Sequence, residues 1–478
     1  MPGSLRIILG EQLSPGISCL DGYDHQYDTV LMIEALEDIS NVFYHKKKIA
    51  FLLSSMRHFS CHLTTNGYNV TYIKLDDPEN TGSFKTEVER AIAKYSSDKV
   101  ICTFTSEYSV LTEIRSWEGR FGIPVEIRDN NQYLFSPEQF EKWTEGRKEI
   151  RKRDFYQVVR KKICALGINQ YSDCIGSSLG HEADIKPDKI TQSVLKLVED
   201  RFGSHFGSLY PFDFAVNHAD AQLVLSKFID YRLQDCETQP EQDVTYRSHI
   251  AFYLNSGLLQ PADIAAALNA AEHAGQITTE VAGRFIDQII GRREFMRGLY
   301  WQKSKKNINE NFLGAQRKLP AFYLNAETDL NCIKQCVSQS QQSGYIDAKQ
   351  QLMILANFAL LTGVNPNEII EWQRWALVDT NEWVELLDIE DTGISYVSGG
   401  TYIAKSFNYC DGCRYNVKQK HGDDACPFNY LYWNFFIDNK KKLEFAPQLA
   451  FYYRTLSGMT ISRLIEYSME AHRFMKLM

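Results

Sequence analysis

The chemistry most strongly written into this chain is carried by thiols near its C-terminal end. Cys410-Asp411-Gly412-Cys413 places two cysteines on one turn, and Cys426-Pro427 follows after a short loop. A C-x2-C pair can share one metal, and a third thiolate can fold back onto it. That leaves one position for a distant ligand, which Cys332 or Cys336 can fill. Four thiolates suit Zn²⁺ or an iron–sulfur cluster, and the spacing does not separate the two. The bland alternative is a set of free thiols packed as small hydrophobes. The remaining cysteines, Cys19, Cys61, Cys102, Cys164, Cys174 and Cys236, are scattered and read as structural.

A second candidate is electrostatic. Residues 147–162 read RKEIRKRDFYQVVRKK, half of them basic. On a helix, Arg151, Lys152 and Arg153 would present cations to phosphates, with Phe155 and Tyr156 alongside. The same residues also fit a solvated helix face. Trp372, Trp375 and Trp383 form a third cluster. Such spacing usually means core, although aromatic rings this close can also carry electrons or stack on a planar cofactor.

The elements that must position these groups fall into two styles. Up to about residue 130, short β-rich runs at Arg6–Leu9, Thr29–Ile33, Val70–Leu75, Val100–Phe104 and Val125–Arg128 alternate with helical stretches such as Lys46–Leu63 and Lys85–Lys94. That rhythm predicts βαβ units and a parallel sheet. No Gly-x-Gly-x-x-Gly follows the first strand, so the standard dinucleotide fingerprint is absent. From Pro137 onward helical periods dominate: Thr191–Phe202, Ala219–Leu233, Pro261–His273, Gly283–Leu299, Lys349–Leu361 and Glu368–Trp375. Residues 166–190 lack any period and read as a linker; residues 388–407 form a second weak segment. The expected architecture is an α/β domain over 1–135, a basic helix and linker over 136–190, and a large all-helical domain over 191–478.

Composition sets the outer limits. At about 150 residues per domain, 478 residues predict two or three domains. A hydrophobic fraction of 44% excludes a disordered or collagen-like chain. The net charge of -8 means that any nucleic-acid contact needs a local basic patch. No apolar run reaches the roughly 20 residues that span a bilayer, and residues 1–10 lack a signal-peptide layout. The expectation is a cytoplasmic protein with no membrane partner, whose eleven cysteines serve as thiols or ligands rather than disulfides.

Taken together, the motifs resemble the iron–sulfur bacterial cryptochromes and photolyases, the prokaryotic 6-4 photolyases. The matching stretches are LGEQLSPG at 9–16, HKKKIAFLLSSMRHF at 45–59, LDDPENTGSF at 75–84, QIIGRREFMRGLYW at 288–301, LPAFY at 319–323, NFALLTGVNP at 357–366, EWVEL at 382–386 and the cysteine block at 409–433. The likeness runs over about residues 5–455. It implies an N-terminal antenna domain, a long linker and a helical domain holding FAD and a [4Fe–4S] cluster, with a ribolumazine-type antenna in the α/β part. Repair members of the family bind duplex DNA and flip a 6-4 photoproduct toward the flavin, because the lesion cannot meet it inside the stack.

Carried over residue by residue, the resemblance assigns the cluster to Cys332, in the Thr328-Asp329-Leu330-Asn331-Cys332 context, with Cys410, Cys413 and Cys426. It places the antenna near Glu34, and near Glu11 where the family has Asp. It leaves FAD to Ser248, Gln288, Arg293, Asn357 and Asp379. Elsewhere the chain departs from the pattern. Asp347 and Ala348 stand where repair members carry a His-His pair. An Asp titrating near about 4 cannot replace an imidazolium donor at neutral pH. Arg247 replaces a family His, and the linker signature and the loop after EWVEL are altered. Leu324 and Gln373 replace aromatics on the family's flavin-reduction route.

The resulting expectation is a light-responsive flavoprotein with a cluster but without normal 6-4 repair, its signalling partner unknown. One alternative is an active photolyase with an altered proton donor. The other is a flavin-free iron–sulfur module on a photolyase scaffold.

Overall fold

The computed structural model describes residues 3–35, 42–165, 185–231, 233, 249–304, 311–346, 350–381, 383, 403 and 412–478. Expectations that fall on Asp347, Ala348, Ser248, Arg247, Cys410, most of the 166–190 linker and most of 388–407 therefore lie outside the described residues. Contacts divide the chain into two units, Met1–Asn307 and Ile308–Met478.

The first unit is built on five parallel strands: β1 (Ser4–Ile7), β2 (Thr29–Ile33), β3 (Val70–Ile73), β4 (Lys99–Thr103) and β5 (Val125–Arg128), in the order β3-β2-β1-β4-β5. The connecting helices are α1 (Lys46–Thr65), α2 (Phe84–Tyr95) and α3 (Tyr108–Phe121). A sheet covered by helices buries successive residues of its central strands, so β2 reads as a continuous apolar run rather than an alternation. Leu5, Ile7, Leu31, Ile33, Val100 and Cys102 pack with Val88 and Ala91 of α2 and Ile114 and Trp117 of α3. Each fully buried Val, Leu or Ile side chain among them contributes about 1.5–3 kcal/mol. The order reverses between β1 and β4, the switch point beyond whose carboxyl ends ligands tend to bind in sheets of this kind.

Helices continue this unit: α4 (Pro137–Thr144), α5 (Lys152–Ala165), α6 (Lys189–Phe202), α7 (His218–Tyr231), α8 (His249–Ser256), α9 (Pro261–His273), α10 (Thr279–Ile286) and α11 (Arg292–Ser304), with a π-helical turn over Asp287–Gly291. Phe155 of α5 is fully buried against Phe140 and Trp143 of α4 and Phe295 of α11. At Gly298 a side chain would strike the Phe140 ring at 2.2 Å, so α4 and α11 meet at their closest where a residue without Cβ allows it. This packing ties α4 and α5 to α11 within the first unit.

The second unit comprises α12 (Phe322–Asn325), α13 (Asn331–Ser343), a π-helical turn over Gln351–Ala356, α14 (Asn357–Thr362), α15 (Pro366–Ala376), α16 (Pro427–Asp438), α17 (Lys440–Leu443), α18 (Ala450–Ser457) and α19 (Ile461–Leu477). α16 is apolar on nearly every side and sits deep. α19 lies against it through Tyr467, Ala471 and Met475, with Trp433 stacked on Tyr467 at 6.4 Å. Among the described residues no helix is long and apolar enough to cross a membrane.

Candidate thiolate centre and buried carboxylate sites

Cys332 lies in the first turn of α13, and Cys336 one turn further is buried. The turn before them meets the C-terminal cysteine loop directly. Cys413 Sγ lies 3.8 Å from the Asp329 carbonyl oxygen, and Arg414 donates to Asp329 Oδ2 at 2.7 Å. Gly412 has φ +73°, and a Cβ there would come within 3.8 Å of Asn331 Nδ2. The C-terminal side of the loop is fixed by the Cys426 amide, which donates to the Asn416 carbonyl at 3.2 Å. Cys426 then caps α16, with Pro427 in the first turn where no amide is needed. Burial pushes the Tyr415 phenol up, and its electrostatic neighbours include both Cys413 and Cys426.

The turns that carry Cys332, Cys413 and Cys426 therefore approach one another. Among the described residues no three His, Cys, Asp or Glu side chains are grouped as a metal site, and Cys410, the fourth thiol of the set, lies outside them. An all-sulfur donor set on converging turns fits a thiolate-ligated metal or cluster.

The antenna candidates lie beyond the carboxyl ends of the strands. Glu34 follows β2 and is almost fully buried. Its Oε1 accepts from Arg57 Nε at 2.7 Å and from the Tyr72 hydroxyl at 2.6 Å. Its Oε2 accepts from Arg57 at 2.9 Å and from the Leu75 amide at 2.6 Å. Those four bonds occupy the acceptor sites a carboxylate offers. Burial works against the charge on Arg57, but hydrogen bonding and attraction from Glu34 outweigh it and hold the guanidinium protonated. Burial, followed by the charge of Glu34, drives the Tyr72 phenol well above its ordinary range. As placed, the Glu34 carboxylate does not fit a direct bond to an antenna.

Glu11 lies at the switch point. Its Oε1 accepts from Ser106 N at 2.7 Å and from Thr105 Oγ1 at 3.1 Å, and burial raises its carboxyl despite these bonds. Opposite stands a buried group that the sequence patterns did not single out. Arg297 donates to the Phe135 carbonyl at 3.0 Å and lies 3.8 Å over the Tyr133 ring, and Glu294 accepts from the Phe135 amide at 3.0 Å. Only the spacing of Arg293, Glu294 and Arg297 on one helix could have signalled them.

The flavin candidates are placed as follows. Gln288 is exposed within the Asp287–Gly291 π turn. Arg293 is buried and occupied: it donates to Asn255 Oδ1 at 2.9 Å and to the Gln132 carbonyl at 2.9 Å, and covers Tyr133 at 3.7 Å. In the second unit, Asn357 is fully buried directly after the other π turn, and such turns recur at functional sites. Asp379 Oδ1 and Gln373 Oε1 are buried acceptors with no hydrogen-bond partner among the described residues. Leaving buried acceptors unpaired costs about 1–3 kcal/mol each, so these two fit a bound group that brings donors.

Arg151 and Arg153 are exposed at the start of α5. Arg151 pairs with Glu149 at 2.6 Å, and Arg160, also exposed, pairs with Asp287 at 2.6 Å.

A family model described as deoxyribodipyrimidine photo-lyase-related protein matches residues 6–172. The chain is 38% identical over 488 residues to a (6-4) photolyase of Agrobacterium fabrum (strain C58 / ATCC 33970), covering 95% of this chain and 96% of that one. It shares its fold with a bacterial class III photolyase from Agrobacterium tumefaciens, with a TM-score of 0.59 and 13% identity over 100% of this chain and 98% of that one. The chain belongs to the photolyase family.

Proposed function

We propose that this chain is a light-responsive member of its family that holds FAD and a four-thiolate iron–sulfur cluster and has lost the family's normal 6-4 repair step. The observation that carries the reading is the approach of the Asp329–Cys332 turn to the Cys413 loop, closed by the Cys413 Sγ contact and the Arg414–Asp329 ion pair. Cys332, Cys413 and Cys426, with Cys410, would hold the cluster, which supplies one-electron chemistry when bound. Ser248, Gln288, Arg293, Asn357 and Asp379 remain the flavin residues that the resemblance proposes. Arg293 acts there as a brace for the residue-132 loop rather than through a free guanidinium. Glu11 is the better placed of the two antenna residues, because Glu34 spends its acceptors on Arg57, Tyr72 and Leu75. Arg151, Lys152 and Arg153 are proposed to meet DNA phosphates. The loss of repair rests on Asp347 and Ala348.

The test is an absorption spectrum of anaerobically purified protein with acid release of flavin and iron and sulfide analysis, followed by a light-dependent assay on DNA holding one defined 6-4 lesion. FAD and cluster without lesion loss is the expected result. A second reading, an active photolyase with another proton donor, is favoured by the 38% identity to a protein named (6-4) photolyase. Lesion loss in light would establish it. A cluster without flavin would leave an iron–sulfur module on a photolyase scaffold.

A further inference from the structure

A cleft of about 160 Å³ lies wholly within the second unit, where the 311–317 loop, the turn between α14 and α15, the C-terminal end of α16 and the helix α19 come together. Val364, Phe435 and Met475, all buried, give it an apolar floor. A cavity of about 150 Å³ takes in one benzene-sized group, and drug-sized ligands need roughly 300 Å³ or more. The floor therefore has room for a single apolar side chain. Two opposite charges line the same cleft without pairing with each other. The guanidinium of Arg317 makes one hydrogen bond among the described residues, a long one of 3.4 Å from Nη1 to the Met475 carbonyl. Its backbone is pinned to the turn that carries Val364: the Arg317 amide donates to the Gly363 carbonyl at 3.1 Å, and its carbonyl accepts from the Asn365 amide at 2.8 Å. Asp438, the last residue of α16, accepts from Asn434 through Oδ2 at 2.8 Å, which leaves Oδ1 open. Asn439 donates through Nδ2 to the Phe435 carbonyl at 2.9 Å and keeps its own amide oxygen as an acceptor. His472 bonds the Ser468 carbonyl through Nδ1 at 2.7 Å, so Nε2 of the neutral ring also accepts. Asp438 and Asn439 stand at the C-terminal end of α16, where the helix dipole favours a cation.

We propose that this cleft binds a free α-amino acid whose side chain is apolar and about the size of leucine. Arg317 takes the carboxylate, because a guanidinium fork matches two carboxylate oxygens. Asp438, with the acceptors of Asn439 and His472, takes the ammonium. The side chain lies on Val364, Phe435 and Met475. An α-amino acid joins both charges and an apolar branch at one carbon, which is what a small cleft with a donor group, an acceptor group and an apolar floor selects. A simple carboxylic acid would leave Asp438 without a cation, and a simple amine would leave Arg317 without an anion. Binding is reversible and changes no covalent bond. It involves neither flavin, thiols nor DNA, and stands apart from the function proposed above.

The test is isothermal titration calorimetry of the full chain with L-leucine and with two relatives that each keep one charge, N-acetyl-L-leucine and L-leucinamide. L-leucine should bind once per chain and raise the thermal-unfolding midpoint. Each blocked compound should bind about tenfold or more weakly, the loss expected for one charge-assisted hydrogen bond. R317Q should lose affinity for L-leucine and N-acetyl-L-leucine and bind L-leucinamide as the unaltered protein does. D438N should lose L-leucine and L-leucinamide and keep N-acetyl-L-leucine. Both side chains are exposed, so the variants should fold, and their unfolding midpoints without ligand check this. If a variant does not fold, the ranking of the three compounds on the unaltered protein decides. No binding of millimolar L-leucine, equal binding of all three compounds, or an unchanged L-leucine affinity in folded R317Q overturns the proposal.

Discussion

Glu34 and Arg57 face each other through two hydrogen bonds, 2.7 and 2.9 Å long, at the end of β2, with both side chains almost completely removed from water. The pair joins the sheet to α1, and Tyr72 and Leu75 extend it to β3 and the loop beyond. Removing one partner of such a pair strands the other. Arg57→Ala should therefore lower unfolding stability by about 3–5 kcal/mol. Urea denaturation followed by circular dichroism checks this. A loss no larger than that of an exposed arginine would show that water reaches the site.

The cysteine assignment separates two neighbours on one helix. Cys332→Ser should reduce bound iron and sulfide sharply. Cys336→Ser, one turn away and buried, should leave them near the unaltered level. Cys413→Ser should behave like Cys332→Ser. Iron and sulfide analysis of anaerobic preparations decides it, and equal losses at 332 and 336 would reject the assignment of Cys332 alone.

Glu11 gives a pH dependence with a definite sign. Burial raises its carboxyl above the unfolded value, and Ser106 and Thr105 only partly offset this. The folded state therefore binds its proton more tightly than the unfolded chain. That contribution is fully present below the ordinary carboxyl range, about pH 4. It is lost as pH rises through the folded value. Glu11→Gln keeps the acceptor for Ser106 and removes the charge. It should be more stable than the unaltered protein at pH 8, and the gap should close as pH falls below the carboxyl range. Thermal unfolding at several pH values measures it. A gap that widens in acid would contradict it.

The basic start of α5 predicts a change in salt response. Replacing Arg151, Lys152 and Arg153 by Ala should weaken DNA binding and flatten the log–log salt slope by about 0.9 for each phosphate no longer neutralised. The flattening should fall short of the value for three phosphates, because Arg151 already has Glu149 as a partner. Fluorescence anisotropy with a duplex at a series of salt concentrations reads the slope. An unchanged slope would remove this helix from the interface.

Much of the fold is legible along the chain because the two periods differ so clearly. Thr29–Ile33 and Val125–Arg128 are strands over the very residues that the β-rich runs mark, and Pro261–His273 is a helix with its proline in the first turn. The first strand lies two residues earlier than its apolar run, since a strand buried on both faces has no alternation to mark its ends. Gly283–Leu299 reads as one helix but contains the Asp287–Gly291 π turn, which a 3.6-residue period does not resolve. The proposed cysteine set is legible where its spacing is local, at Cys410, Cys413 and Cys426, whereas the approach of the Asp329–Cys332 turn to the Cys413 loop is not. The buried set of Glu11, Glu294 and Arg297 is not, because its members meet only after the residue-135 loop and α11 come together at the strand ends.

Cys426 is both a proposed ligand and the residue from which α16 starts, and α19 is packed on α16. Filling the thiolate site and ordering the last helices are then a single linked equilibrium, since whatever binds only the folded site also stabilises the helix that begins there. If the proposed ligand set is filled by a metal or cluster, chains made while it is scarce would present a loosened C-terminal region to proteases, and the protein's abundance would follow that supply.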